Sequence, residues 1–244
     1  MSDIPADIAE LKSRAKVSYD QMEHVWPPGD PWSEHTKANI DAFVRRVVPA
    51  GNLTIFNAGC GGNDYGLPPS AITANMDISF RQCRTLPRAL VGDVETIPFP
   101  DNAFDVTICV GAVINYVRAE VAIPELIRVT RPGGLTLVDF ESSFSAEIMF
   151  SRNWAKPTSV IERLYIDHMD KTHLYSLAHV RALFERSDSR LIESQGYHTA
   201  TALWERVFRK ALIPRAAFAI DPFTSRVPGF RALASSILVA CRKA

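Results

Sequence analysis

The residues best suited to chemistry are glycines and acids that close successive apolar runs. Gly59, Gly61 and Gly62 follow Leu53–Asn57, Asp77 follows Ala71–Met76, and Asp93 follows Arg88–Val91. Glycine lets backbone approach a ligand closely and adopt positive φ. A carboxylate at Asp77 is placed to accept both hydroxyls of a ribose. One at Asp93 is placed to accept the exocyclic amine of an adenine, with Val94 packing on the ring. Taken singly, each of these is an ordinary turn residue. Glycine, acid and acid at consecutive strand ends together describe a nucleoside site. A dinucleotide fingerprint fits poorly, because Asp64 stands where its third glycine is needed.

The elements that must position these residues alternate. Short apolar runs at Leu53–Asn57, Ala71–Met76, Arg88–Val91, Phe104–Val110 and Leu135–Phe140 read as strands. Helical spacing lies between them, at Ser79–Leu86 and Ala119–Thr130, and Arg131–Gly134 reads as a turn. Ser176 caps a helix over Leu177–Arg186, Arg190–Tyr197 reads as a sixth strand and Ser236–Cys241 as a closing one. The first fifty residues read as helices interrupted at Trp26–Pro31, with Ser33 capping the second. Strands separated by helices predict an α/β fold with a parallel sheet covered on both faces. Ligands of such sheets bind beyond the carboxyl ends of the strands.

The totals narrow the class. The chain has 244 residues, 47% of them apolar, with 27 basic and 27 acidic side chains and a formal net charge of zero. This predicts one α/β domain over 1–244 and offers no electrostatic reason to expect nucleic acid as a partner. The four cysteines, Cys60, Cys83, Cys109 and Cys241, lack disulfide or zinc spacing. Reduced thiols in the cytoplasm and no metal are the expectation. No apolar run reaches the roughly 20 residues of a transmembrane helix, and the charged N-terminal stretch predicts no leader.

The stretches TIFNAGCGG, ANMDIS, VGDVETIPFPDNAFDVTICV and RVTRPGGLTLVDF, within Leu53–Phe140, resemble the core of a class I S-adenosylmethionine-dependent methyltransferase of the small-molecule type. SILVACRKA resembles the final strand of that fold. The resemblance implies a Rossmann-like, seven-stranded, mostly parallel sheet with an antiparallel last strand and helices on both faces. It also implies methyl transfer from S-adenosylmethionine to a small molecule, with O-, N- and C-methylation all open. Gly59, Cys60 and Gly61 would lie along the methionine part of the cofactor. Asp77 would hold the ribose with Ile78 beside the adenine, Asp93 and Val94 would bind the adenine edge and face, and Val110 and Gly111 would form the floor. Asn57 stands where the family has an acid, and Asn63 where it has a third glycine. Asn57 keeps an acceptor for an ammonium group without charge assistance, and Asn63 tolerates a left-handed turn.

Residues 1–50 are expected to form a lid, with Tyr19 touching the cofactor, around a cofactor-binding core at 51–141. Insertions at 142–175 and 204–231 are expected to shape the acceptor site. Within the first, His168 and His173 are candidate proton acceptors, with His35 and Tyr116 behind them. The segment 204–220 mixes bulky apolar groups with Arg206, Arg209, Lys210 and Arg215. It suits a peripheral membrane contact, a cover over a lipid-like acceptor, a homodimer contact, or a helix packed on the sheet edge. Two other readings stay open: a non-catalytic methyltransferase-like binding module, favoured by Asn57 and Asn63, and a dinucleotide-binding oxidoreductase.

Overall fold

A computed structural model describes residues 5–165, 168–208 and 213–244. Two helices come first, α1 (Pro5–Gln21) and α2 (Pro31–Val47). Strands β1 (Thr54–Ala58) and β2 (Ile72–Asp77), the short helix α3 (Phe80–Cys83), and strands β3 (Ala89–Val91) and β4 (Phe104–Cys109) follow. Helix α4 (Ala119–Val129) leads into the long strand β5 (Thr130–Glu141). A hairpin of β6 (Thr158–Tyr165) and β7 (His168–Tyr175) precedes helix α5 (Leu177–Arg186) and strand β8 (Ser189–Tyr197). Helices α6 (Thr199–Phe208), α7 (Arg215–Thr224) and α8 (Pro228–Arg231) precede the last strand, β9 (Ser236–Lys243).

Seven strands form one sheet in the order β3-β2-β1-β4-β5-β9-β8. β9 runs antiparallel to both of its neighbours, and the remaining pairs are parallel. The order reverses between β1 and β4, so a crevice opens at their carboxyl ends.

Side chains alternate across a strand, and the two cores show it. Phe56, Cys109, Val138 and Phe140 face one layer with α4 and α5. Ile55, Val106, Ile108, Leu135 and Leu137 face the other with α2. α2 presents Thr36, Ile40, Phe43 and Val44 inward, the spacing of one helical face. Burying Phe43 completely makes Phe43→Ala a loss of about 3–5 kcal/mol.

Two boundaries differ from the sequence expectation. α2 is capped by Asp30, whose side chain accepts from Ser33 N, and Pro31 opens the first turn. Ser33 is therefore a buried first-turn residue. Arg131–Gly134 lies within β5 as an irregularity, because the β4 register jumps from Phe104↔Thr130 to Val106↔Leu135. Ser176 caps α5 as expected, accepting from His179 N.

Candidate active site

The glycine loop is shaped by backbone need. Gly59, Gly61 and Gly62 have φ of +69°, +52° and +75°. A Cβ on Gly59 would come within 2.4 Å of Val113 Cγ2, and one on Gly62 within 2.9 Å of Gln82 O. Gly59 N and Cys60 N both donate to Met76 O, which ties the loop to the end of β2. Asn63 is absent from the left-handed positions and holds the loop another way, its Nδ2 donating to Gly61 O at 2.7 Å.

Asp77, at the end of β2, is 7% exposed. Its Oδ2 accepts from Gly61 N at 2.8 Å and its Oδ1 from Ser79 N at 2.9 Å. Burial raises its pKa, partly offset by these bonds. Each carboxylate oxygen has two acceptor directions, so both retain capacity toward the crevice.

Asp93 accepts from Glu95 N through Oδ1 and from Lys12 Nζ through Oδ2, the latter at 2.7 Å. Lys12 also pairs with Glu95 at 2.8 Å, and Glu95 takes a further bond from Arg118 N. Burial opposes ionisation of Glu95, but the bonds from Arg118 and Lys12 outweigh it and hold its pKa low. Helix α1 thus closes over the crevice by an ion pair between residues 81 positions apart. Its far end is fastened to α3, where Gln82 Nε2 donates to Tyr19 O and Met22 O, and Ser79 Oγ to Asp20 Oδ1.

The crevice beneath α1 is narrow, with a cavity volume of about 70 Å³. Tyr19, Gly59, Gly61, Asp77, Ile78, Asp93, Val94 and Gly111 all line it. Lys12, Val25, Tyr65, Val113, Tyr116 and Val117 complete the wall. Asn57, Cys60 and Val110 do not line it; all three are fully buried behind the loop. Asn57 Nδ2 donates to Asn63 O and Asn75 Oδ1, and its Oδ1 is buried without a partner. Its place is that of a brace beneath the loop.

A second, larger cavity of about 330 Å³ shares Tyr19, Val25, Gly111 and Tyr116 with the first. Trp26, Trp32, Asp139, Glu141, Thr172 and Tyr197 are among its other walls. Asp139, on β5, is 1% exposed, and its Oδ1 accepts from Ala112 N at 2.8 Å and its Oδ2 from the Tyr197 hydroxyl at 2.7 Å. Burial raises the pKa of this carboxyl, against the bonds from Ala112 and Tyr197. The bond to Ala112 also steadies a left-handed residue (φ +61°) next to Gly111. The sequence reading missed Asp139 and Tyr197. The available signal was an acid inside the apolar run LTLVDF, where charge is rare without a role.

The β6–β7 hairpin contributes Thr172 to this cavity. His173, its neighbour along the strand, stacks near Tyr175, and its carbonyl accepts from Asn115 Nδ2. Successive strand side chains point to opposite faces, so His173 is turned from the face that carries Thr172. His168 opens β7, and its side chain lies outside the described residues. His35 pairs with buried Asp221 at 2.9 Å and, with His198, belongs to a network that reaches the cavity wall through Thr36 and Trp32.

A sheet of this order, with a glycine loop and two strand-end carboxylates at the reversal point, defines a nucleoside-binding α/β protein. Residues 57–138 match the family model described as a methyltransferase domain. The chain is 26% identical over 162 residues to the tRNA (carboxymethyluridine(34)-5-O)-methyltransferase of Arabidopsis thaliana, covering 61% of this chain and 39% of that protein. It is 44% identical over 50 residues to a ubiquinone/menaquinone biosynthesis C-methyltransferase of Burkholderia cenocepacia, 20% of this chain and 21% of the other. The chain therefore spans well under half the length of these curated relatives. Geranyl diphosphate C-methyltransferase from Streptomyces coelicolor A3(2) superimposes over the whole of both chains with a TM-score of 0.60 and 11% identity. The chain thus matches a methyltransferase domain over residues 57–138 and shares the fold of the superimposed methyltransferase.

Proposed function

We propose that the chain methylates a small-molecule acceptor held in the second cavity, using S-adenosylmethionine in the first. The observation that carries this is the shared wall: the crevice of strand-end carboxylates meets the larger cavity at Gly111, Tyr19 and Tyr116. The residues present suit the cofactor: the tight glycine turn lines the crevice with backbone at Gly59 and Gly61, and Asp77 on its wall keeps acceptor directions beyond its bond from Gly61 N.

When bound, the cofactor supplies an electrophilic methyl group on a cationic sulfur. The protein's part is to align the acceptor, exclude water and take a proton where the acceptor loses one. Asp77 receives the ribose hydroxyls, while Ile78 and Val94 flank the base. Asp93 receives the adenine amine, in exchange for or beside Lys12. Asn57 braces the loop from behind, with Cys60 and Val110 supporting it. Asp139, oriented by Tyr197, is the described group best placed to accept a proton in the second cavity. His168, on the hairpin that walls that cavity, is the other proposed proton acceptor, whereas His173 faces away from it and is no longer a candidate. The cytoplasm is the proposed location, consistent with four free, buried thiols.

The test is calorimetric titration with S-adenosylhomocysteine and NAD, then turnover with labelled S-adenosylmethionine on hydroxylated, amine-bearing and isoprenoid acceptors and on tRNA. Binding of the first ligand alone, with methyl incorporation into a small acceptor, is expected. Incorporation into tRNA alone would overturn the acceptor class. Tight binding with no transfer to any acceptor would favour the non-catalytic module, and NAD binding the oxidoreductase.

A further inference from the structure

The sheet ends at β8, and along that edge the chain builds a further cavity of about 460 Å³, within the range of small-molecule sites. It shares no described residue with the cofactor crevice or the second cavity. α2 contributes Asn39 and Arg46, seven positions apart and so on one helical face. β8 contributes Ser194 and Gln195, the chain just after α7 contributes Arg226, and α8 ends in Arg231. Three arginines and no carboxylate are thus among the described residues that line it.

The acceptors of this wall are already engaged by its own donors. Arg46 Nε donates to Glu193 Oε1 at 2.8 Å, and its Nη2 to Gln195 Oε1 at 2.7 Å. Gln195 Nε2 donates to Asn39 Oδ1, and Asn39 Nδ2 to the His35 carbonyl. Arg231 Nη2 donates to both the carbonyl and the hydroxyl of Ser194. The Arg46 guanidinium also sits 5.1 Å from the centroid of the Phe43 ring, which holds its plane. A guanidinium carries five N–H donors, so donors are what remain. Arg46 keeps Nη1, Arg231 keeps Nε and Nη1, and Arg226 has no partner among the described residues. Held donors facing a cavity whose acceptors are taken are the complement of an oxyanion.

We propose that this cavity binds a phosphate-bearing small molecule. Among the described residues Glu193 is the one carboxylate paired with the three arginines, so two positive charges stay unmatched. That is close to the charge of about −1.5 to −2 on a phosphate ester at neutral pH. A carboxylate brings one charge and two oxygens, a phosphate group three acceptor oxygens that guanidinium forks take in pairs. Arg226 and Arg231 also wall an adjoining cavity of about 660 Å³, where Phe144, Pro157, Leu177 and Ile237 give an apolar lining. An apolar group esterified to the phosphate has room there. The shared element is the phosphate, free or esterified. Its binding needs neither cofactor nor methyl acceptor, so this inference stands or falls apart from the methyl-transfer reading.

The experiment is calorimetric titration of the full chain with inorganic phosphate and with hexyl phosphate, the ionic strength held constant with sodium chloride. Saturable one-to-one binding is expected. Hexyl phosphate binding at least about tenfold tighter assigns an esterified ligand seated across both cavities, and any smaller difference assigns the phosphate alone. Arg226→Gln removes a guanidinium without stranding a partner and should weaken binding about tenfold. Arg226→Gln/Arg231→Gln should weaken it about 100-fold. Neither arginine walls the cofactor crevice, so S-adenosylhomocysteine affinity and melting temperature of Arg226→Gln should match the parent. Absence of saturable binding for both phosphates would overturn the proposal. So would an Arg226→Gln variant that binds them as tightly as the parent, because the phosphate would then sit elsewhere.

Discussion

Replacing Asp77 by asparagine tests the crevice at its most constrained point. Asp77 accepts one backbone N–H on each oxygen, from Gly61 and Ser79. Both remaining acceptor directions suit ribose hydroxyls, and such charge-assisted bonds contribute about 1.5–3 kcal/mol each. Asparagine keeps one acceptor oxygen and turns an NH₂ group toward one of the two N–H donors. One ribose bond goes and the other loses its charge, so the loss is about 3–4 kcal/mol, or roughly 100- to 1000-fold in Kd for S-adenosylhomocysteine. The unpaired backbone donor also costs about 1–3 kcal/mol of stability, so melting must be recorded beside the titration. Calorimetry at 25 °C on a variant shown folded by circular dichroism gives the answer. A Kd within threefold of the parent would mean that Asp77 does not hold the ribose, and the placement of the nucleoside would fail with it.

Gly59→Ala should lower cofactor affinity at least about tenfold and reduce melting temperature, because its Cβ would lie 2.4 Å from Val113 Cγ2 at a φ of +69°. Adding Val113→Ala should restore part of the stability, and its failure to do so in thermal melts would refute the clash. Tyr197→Phe removes the hydroxyl donor of Asp139 but touches no part of the cofactor crevice. We expect kcat to fall about tenfold or more with S-adenosylhomocysteine affinity unchanged in calorimetry. The fold should also be acid-sensitive through His198, whose pKa burial depresses to about 3. Between that value and the ordinary 6.5 the unfolded chain binds a proton that the folded one excludes. Stability is thus full above pH 6.5 and lost as pH falls toward 3, by about 2 kcal/mol at pH 5. Urea midpoints at pH 7 and 5 check this, and His198→Asn, which tolerates the left-handed backbone at that position, should flatten the difference.

The sequence was legible wherever one local rule decided the outcome. Gly59, Gly61, Asp77 and Asp93 close apolar runs, so their meeting at the sheet's reversal point followed from strand order alone. Asn57, Cys60 and Val110 were credited with cofactor contact from motif position. The folded chain packs them behind the loop, a distinction that depends on which way each side chain turns. Lys12 was illegible for another reason. Its partners Asp93 and Glu95 are distant in sequence, and one lysine in a charged helix carries no sign of its contact. The start of α2 was readable in Asp30–Pro31, a cap followed by a first-turn proline, but Ser33 offered a competing cap. Asp139 shows the limit most clearly, since a carboxylate within β5 becomes intelligible only once Tyr197 and Ala112 are seen around it.

The placement of β9 bears on how the molecule is made. It lies between β5 and β8 and pairs Glu141 with Ser236, partners joined through a long intervening stretch of chain. During synthesis both neighbours emerge first and wait with unmatched backbone edges that invite pairing with other chains. The final seam is a non-local closure, and such closures are slow. The nascent protein is thus most vulnerable to aggregation just before its last strand arrives, and holding factors acting in that interval should raise its yield.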